Sequence, residues 1–145
     1  MNMNHDTIRL LGECDAGIQM AINAIDEVLP SVGDSHLRHT LHLSRNAHKD
    51  LRVRTHNLLK AAHASGKTPS AMAKSMSWLK TNAKLTFRPG DNTVADLVVS
   101  GCQMGIKNLH KYQNQYHAAD EEGKNVADEL IGLEADLANS LYPYL

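Results

Sequence analysis

The sequence predicts an all-α fold, an antiparallel four-helix bundle with a short crossover helix between helices 2 and 3. Apolar residues recur every three or four positions through four long stretches, which is the spacing of one face of an α-helix. Proline and glycine separate these stretches. Aromatic residues make up only 4% of the chain. The core is therefore predicted to consist of aliphatic side chains between helices rather than the aromatic and β-branched residues of a sandwich.

Capping residues and helix breakers define the bounds of the four predicted helices. Asn4 or Asp6 precedes the first helix, and Asp34 precedes the second. Thr93 and Asp96 form a weak variant of the capping box for the third. The predicted spans are about 7–29 for helix 1, 35–64 for helix 2, a third that opens at 93, and a fourth that follows the acidic turn 120–123 and ends near 141.

The chain is predicted to form a single domain over residues 1–145, with two helical hairpins at 6–64 and 92–145 joined by a crossover at 65–91. A connection of this length is expected to carry structure of its own. Four apolar residues within it recur with helical spacing and predict a short amphipathic helix on the side or end of the bundle. They are Met72, Met76, Leu79 and Ala83.

Each long helix carries an apolar stripe that is predicted to face the interior, and two of the stripes are interrupted by a polar residue. His48 lies in the middle of the stripe of helix 2, and Glu134 in that of helix 4. Cys14 and Cys102 lie in the stripes of helices 1 and 3, each at the start of a repeated Cys-x-x-Gly-Ile-x hexapeptide. Glu13 is predicted to point well away from the interior.

These four interior residues are predicted to lie at compatible heights along the bundle. Cys14 and His48 are each about 17 positions from the first turn, and Cys102 and Glu134 are about 17 and 15 positions from the second. At about 1.5 Å of rise per residue, the partners in each hairpin are level to within one helical turn. If the two hairpins are also in register, the four side chains meet near the bundle axis.

Several interpretations of this set follow from its chemistry. Two thiolates, an imidazole and a carboxylate are a reasonable tetrahedral ligand set for Zn²⁺ or Fe²⁺, which makes Cys14, His48, Cys102 and Glu134 a candidate metal site. Alternatively, the cysteines are small buried hydrophobes and His48 is hydrogen-bonded to Glu134. A thiol redox role is a further alternative, and a disulfide requires the two cysteine-bearing helices to be neighbours.

The charge is unevenly distributed along the chain. Residues 35–90 hold eleven Lys and Arg but one acidic residue, whereas the segments on either side are acidic. The basic segment predicts either solvated faces that neutralise one another within the bundle or a surface for an anion such as DNA. The residues of such a surface are Arg38, Arg45, Lys49, Arg52, Lys60, Lys74, Lys80 and Lys84.

Some features resemble a bacterial family of ferritin-like four-helix-bundle proteins. They are the paired helices, a crossover of about 27 residues with Ser70 and Trp78-Leu79-Lys80, and Cys102-x-x-Gly105 followed seven residues later by an aromatic side chain. The resemblance implies a ferritin-like bundle. It also argues against a ferritin-type di-iron centre, because the Glu-x-x-His pattern of such centres is not present around His48 or Glu134.

The function is predicted from the catalytic motifs that the sequence lacks. With no phosphate-binding loop, nucleophile elbow or Glu-x-x-His motif, a non-catalytic binding or structural module is favoured, and a homodimer is one expectation for its assembly. The alternatives are a mononuclear metal-binding protein that uses Zn or Fe, and an anion- or DNA-binding protein. The N-terminus lacks the pattern of a signal peptide and the chain has only two cysteines, which predicts a cytoplasmic protein with no membrane span.

Overall fold

The structure, a computed structural model, describes residues 3–64 and 89–145. Four helices account for most of these residues: α1 (His5–Val28), α2 (Ser35–Ala61), α3 (Asp91–Gln115) and α4 (Glu121–Leu141). Short 3₁₀ turns follow α1 and α4, and no strand occurs within the two described ranges. The all-α prediction is confirmed. The predicted crossover helix lies outside the described residues.

Side-chain caps start three of the four helices; those of Asn4 and Asp34 were predicted, and that of Asp120 was not. The side chains of Asn4, Asp34 and Asp120 each accept a hydrogen bond from the backbone N–H three residues later, at the starts of α1, α2 and α4. Each cap satisfies one of the N–H groups that the first turn of a helix leaves without a partner.

The predicted start of α3 is wrong. The helix begins at Asp91 rather than Thr93, and its cap position is Gly90, whose φ of 147° favours glycine and which makes no side-chain cap bond. The Asp91 carboxylate is used elsewhere. It accepts hydrogen bonds from the backbone N–H groups of Gly33 and Asp34, at 2.8 and 3.0 Å, and so joins the start of α3 to the α1–α2 turn.

Helix α1 packs against all three of the other helices, and α4 does the same. A helix with neighbours on three sides is buried over much more than one face. Glu13 and Asp15 of α1 are accordingly buried, with 7% and 4% of their surface exposed. The prediction that Glu13 points well away from the interior is therefore wrong.

The apolar core consists of two clusters, one toward each end of the molecule. The cluster near the α1–α2 turn contains Ile25, Val28, Val32, Leu37, Leu41, Val94, Val98, Cys102, Leu137 and Leu141. The cluster near the α3–α4 turn contains Leu10, Leu11, Cys14, Ile18, Leu51, Leu59, Leu109, Val126, Ala127 and Leu130. All four helices contribute to both clusters, and the buried polar side chains of His48 and Glu134 lie on α2 and α4 between the residues of one cluster and those of the other.

Hydrogen bonds join distant parts of the chain at both ends of the molecule. At one end, Asn4 donates to the carbonyl of Ala118, and the Thr7 hydroxyl accepts from the backbone N–H of Asp120. At the other end, the hydroxyl of Tyr144 donates to the Asp34 carboxylate at 2.8 Å. The last 3₁₀ turn, Tyr142–Tyr144, is thereby joined to the start of α2.

No helix in the described ranges is both long enough and apolar enough to cross a membrane.

Candidate functional site

His48 and Glu134 form a buried pair between α2 and α4. The Nε2 atom of His48 lies 3.0 Å from Oε1 of Glu134, and the two residues are 0% and 6% exposed. The other ring nitrogen, Nδ1, donates to the backbone carbonyl of Ser44, one turn earlier on α2, at 2.7 Å. Because a carbonyl oxygen can only accept, this bond fixes a proton on Nδ1.

The Cys102 side chain, on a third helix, lies near the Glu134 carboxylate. Burial raises the pKa of Cys102, and the neighbouring Glu134 raises it further. The thiol is therefore protonated. Glu134, His48 and the Ser44 carbonyl thus make a hydrogen-bonded chain that links α4 and α2.

The charge state of His48 is decided by two opposing effects. Burial in the core lowers the pKa of an imidazole, because it disfavours the charged form. The hydrogen bond and the charge of Glu134 favour the charged form, and so does the bond to the Ser44 carbonyl. These effects outweigh burial, so the pKa of His48 is raised. An imidazolium that donates from Nε2 to a carboxylate is the form that this geometry favours.

The raised pKa of His48 predicts that stability falls with increasing pH. A group whose pKa is higher in the folded state contributes stability that is fully present below its unfolded pKa, about 6.5 for histidine. That contribution is lost as the pH rises through the folded pKa. We expect the free energy of unfolding, measured with urea, to decrease above about pH 6.5 with a slope of up to about 1.4 kcal/mol per pH unit from this group. The His48→Gln variant should lack this component, and an unchanged slope in that variant would contradict the assignment.

Cys14 lies apart from this chain. It is fully buried in the core cluster near the α3–α4 turn, whereas Cys102 belongs to the other cluster. Burial, together with the charges of Glu13 and Asp15, raises the pKa of Cys14 to about 12. Both cysteines are free thiols.

Of the four residues predicted as a metal site, Cys102, Glu134 and His48 lie near one another and Cys14 packs separately. In the part of the chain that the structure describes, no group of three or more His, Cys, Asp or Glu side chains has an arrangement that could hold a metal ion. A metal would have to replace the hydrogen bond that now connects His48 to Glu134. The Zn or Fe site at Cys14, His48, Cys102 and Glu134 therefore stays a prediction.

A cleft of about 80 Å³ lies between α1 and α3, with α4 as its floor. Most of its lining is apolar or small, and the carboxylate of Glu134 and the side chain of Cys102 lie in its wall. The small residues are Ala16, Gly17, Ala21 and Ala24 on α1 and Gly101 and Gly105 on α3. Because these residues have little or no side chain, α4 is accessible between the two helices. The hydrogen-bonded chain therefore has one end at the surface of a cleft.

Gly105 is the point at which the cleft reaches the carboxylate. A Cβ atom added at Gly105 would lie 3.7 Å from Oε2 of Glu134, which is ordinary van der Waals contact. The Glu134 oxygen that is not bonded to His48 therefore faces the backbone of α3, at a position where α3 has no side chain. The repeated hexapeptide identified this glycine in the sequence, although not its role beside Glu134.

Two polar groups near the site were missed or misplaced by the sequence analysis. Glu13, predicted to point outward, lines the cleft and accepts a hydrogen bond from the hydroxyl of Tyr112. Asp15 is buried beside α2, where its Oδ1 lies 2.5 Å from Nε2 of His56 and 3.9 Å from Nε of Arg52. No pattern in the sequence marks these two acids as buried, because their burial follows from the contacts of α1 with three other helices.

The basic residues of α2 are largely engaged within the molecule. Arg45 binds Asp26 through two hydrogen bonds, the shorter of 2.5 Å, and Arg54 is ion-paired with Glu129. Arg38 donates to the carbonyl of Val32. These contacts support the interpretation in which the basic segment is neutralised inside the bundle. Lys74, Lys80 and Lys84 of the predicted DNA-binding surface lie outside the described residues.

Comparison with protein-family models and with curated proteins finds no match to this chain.

Proposed function

We propose that this protein is a non-catalytic binding module that holds a small organic molecule in the cleft between α1 and α3. The observation that carries the proposal is that this cleft has an apolar wall and a buried, hydrogen-bonded carboxylate at its floor. Binding sites for small molecules are typically concave and mostly apolar, with a few fixed polar groups that orient the ligand. Glu134 is such a group, because the bond to His48 holds one of its oxygens in place.

The non-catalytic part of the proposal rests on the state of the thiol. A nucleophilic cysteine requires a lowered pKa and an accessible sulfur. Cys102 has a raised pKa and is 3% exposed. His48, the most plausible general base in the interior, has both ring nitrogens engaged, one by Ser44 and one by Glu134.

We further propose that the helices form an antiparallel bundle of the ferritin-like type. Supporting this, the start of α3 is hydrogen-bonded to the α1–α2 turn through Asp91. The end of α2 packs near the opposite end of the molecule, where Ala64 joins the core cluster of the α3–α4 turn. The described residues on either side of the crossover therefore lie at opposite ends, as the long connection of a ferritin-like bundle requires.

Methyl NMR of methionine-labelled protein tests the binding proposal, because Met20 and Met104 both line the cleft. Titration with butan-1-ol is expected to shift these two signals saturably. The Ala21→Leu variant, which fills the cleft, should bind at least about tenfold more weakly. Ala47→Leu is the matched control, since Ala47 is a half-buried alanine on α2 that does not line the cleft. Absence of a saturable shift in the wild-type protein would refute the proposal, as would redox turnover that depends on Cys14 or Cys102.

A mononuclear metal-binding protein is the second candidate function, because His48 and Glu134 meet in the core near Cys102, although these side chains would have to rearrange to share a metal ion. Elemental analysis of untagged protein distinguishes it from the first. Stoichiometric Zn or Fe, with a chelator-sensitive melting temperature, supports the metal site. Metal-free protein that melts at the same temperature with and without chelator rejects it.

A further inference from the structure

We infer that the cleft between α1 and α3 selects a small organic cation, an ammonium group attached to a short apolar chain. The inference rests on the proposed function and specifies its ligand. It follows from where the acidic and apolar side chains lie along the cleft.

The charged groups that line the cleft are both acidic. Glu13 and Glu134 are among the lining residues, and both are at least nine-tenths buried. Among the described residues that line the cleft there is no Lys, Arg or His. Glu134 is paired with His48, but Oε2 of Glu134 and the carboxylate of Glu13 would still repel a carboxylate ligand in this poorly solvated space. An ammonium group would instead approach two carboxylates.

Apolar side chains line the cleft beside both acidic groups. Glu13 and Tyr112 lie toward the α3–α4 turn, with Leu109 one helical turn from Tyr112 on α3. Glu134 lies nearer the middle of the cleft, with Leu130 and Leu137 about one turn before and after it on α4. A short apolar chain with one charged end therefore finds apolar contacts while its charge lies near a carboxylate.

Both carboxylates are already positioned by donors that lie on other helices. Tyr112 of α3 donates to Glu13 of α1, and His48 of α2 donates to Glu134 of α4. A carboxylate has about four lone-pair positions, so each can accept further hydrogen bonds. An ammonium group has only donors and no acceptor. Its donors therefore match the chemistry of carboxylate oxygens, which can only accept.

Isothermal titration calorimetry with three probes of similar size tests the inference in the wild-type protein. The probes are n-butylammonium, butan-1-ol and butyrate, which share an alkyl chain and differ in charge. We expect n-butylammonium to bind at least about tenfold more tightly than butan-1-ol, and butyrate to bind more weakly than either. Equal affinity for the alcohol and the ammonium, or tighter binding of butyrate, would overturn the inference and leave the proposed function intact. No binding of any probe would overturn both.

Two variants locate the effect. Glu13→Gln should reduce the affinity for n-butylammonium about tenfold and leave that for butan-1-ol unchanged. Glu122→Gln removes an exposed carboxylate in the first turn of α4, outside the cleft, and should change neither. Equal loss of ammonium affinity in both variants would indicate a general charge effect and overturn the assignment to the cleft.

A second pair of variants is used if Glu13→Gln does not fold. Gly105→Ala measures the contribution of Glu134 to ammonium binding, and Gly132→Ala is its control. The added methyl group touches that carboxylate at position 105 and has no atom within 4 Å at position 132.

Discussion

Replacement of His48 by alanine is expected to lower the free energy of unfolding by about 3–5 kcal/mol, the usual cost of removing one partner from a buried ion pair. The side chain is fully buried and its Nε2 bonds to Glu134 at 3.0 Å. Its loss leaves the carboxylate without its partner in the core and opens a cavity between α2 and α4. Urea denaturation followed by circular dichroism measures the effect.

The control for this experiment is His39→Ala, which truncates an exposed histidine of the same helix and should change stability by no more than about 0.5 kcal/mol. A double variant, His48→Leu with Glu134→Leu, removes both polar groups and keeps the volume. Each single Leu replacement lowers the free energy of unfolding by some amount. The double variant should lose at least about 1 kcal/mol less than the sum of these two losses, because in it neither polar group is left unpaired. Strict additivity would show that the two side chains do not interact.

The second large effect is expected in the reactivity of the thiols. The pKa of Cys14 is raised to about 12, by burial first and then by the charges of Glu13 and Asp15. Compared with an ordinary thiol, the thiolate population at pH 8 falls about a thousandfold, since each pKa unit is a factor of ten. Cys102 is buried and its pKa is also raised. We expect the native protein to react with Ellman's reagent at least about a hundredfold more slowly than the urea-unfolded protein.

Single replacements assign the result to one sulfur or the other. Cys14→Ser leaves only Cys102, whose side chain lines the cleft, and Cys102→Ser leaves only Cys14. Both variants should be protected in the native state. If one thiol equivalent reacts as fast in the native protein as in urea, the protonated and inaccessible state described for that cysteine is wrong, and a thiol redox function regains support.

The helices and the polar pair could be predicted because they follow from local patterns. Periodic apolar residues placed His48 and Glu134 in the interior, and their predicted hydrogen bond is present at 3.0 Å. The number of positions between each of these residues and the nearest helix–helix turn indicated that the two side chains lie at similar heights along the helices. The capping residues Asn4 and Asp34 were predicted from the same local chemistry and are confirmed.

What could not be predicted depends on which helices become neighbours. A single stripe describes a helix that packs on one side, whereas α1 contacts three helices. The burial of Glu13 and of Asp15 follows from that arrangement, and periodicity gave no sign of it. The start of α3 was misplaced for a similar reason. Asp91 binds the backbone of Gly33 and Asp34, which are distant in sequence, instead of acting as a local cap.

The contacts that tie α1 and α2 to α3 and α4 lie at three levels along the helices. Asp91 with Gly33 marks one end, His48 with Glu134 the middle, and Asp120 with Thr7 the other end. Sliding α1 and α2 along α3 and α4 by the rise of a single residue would displace them by about 1.5 Å. That displacement would strain the hydrogen bonds at all three levels together. The walls of the cleft are α1 and α3, so bonds that lie well outside the cleft keep its two walls from sliding past each other.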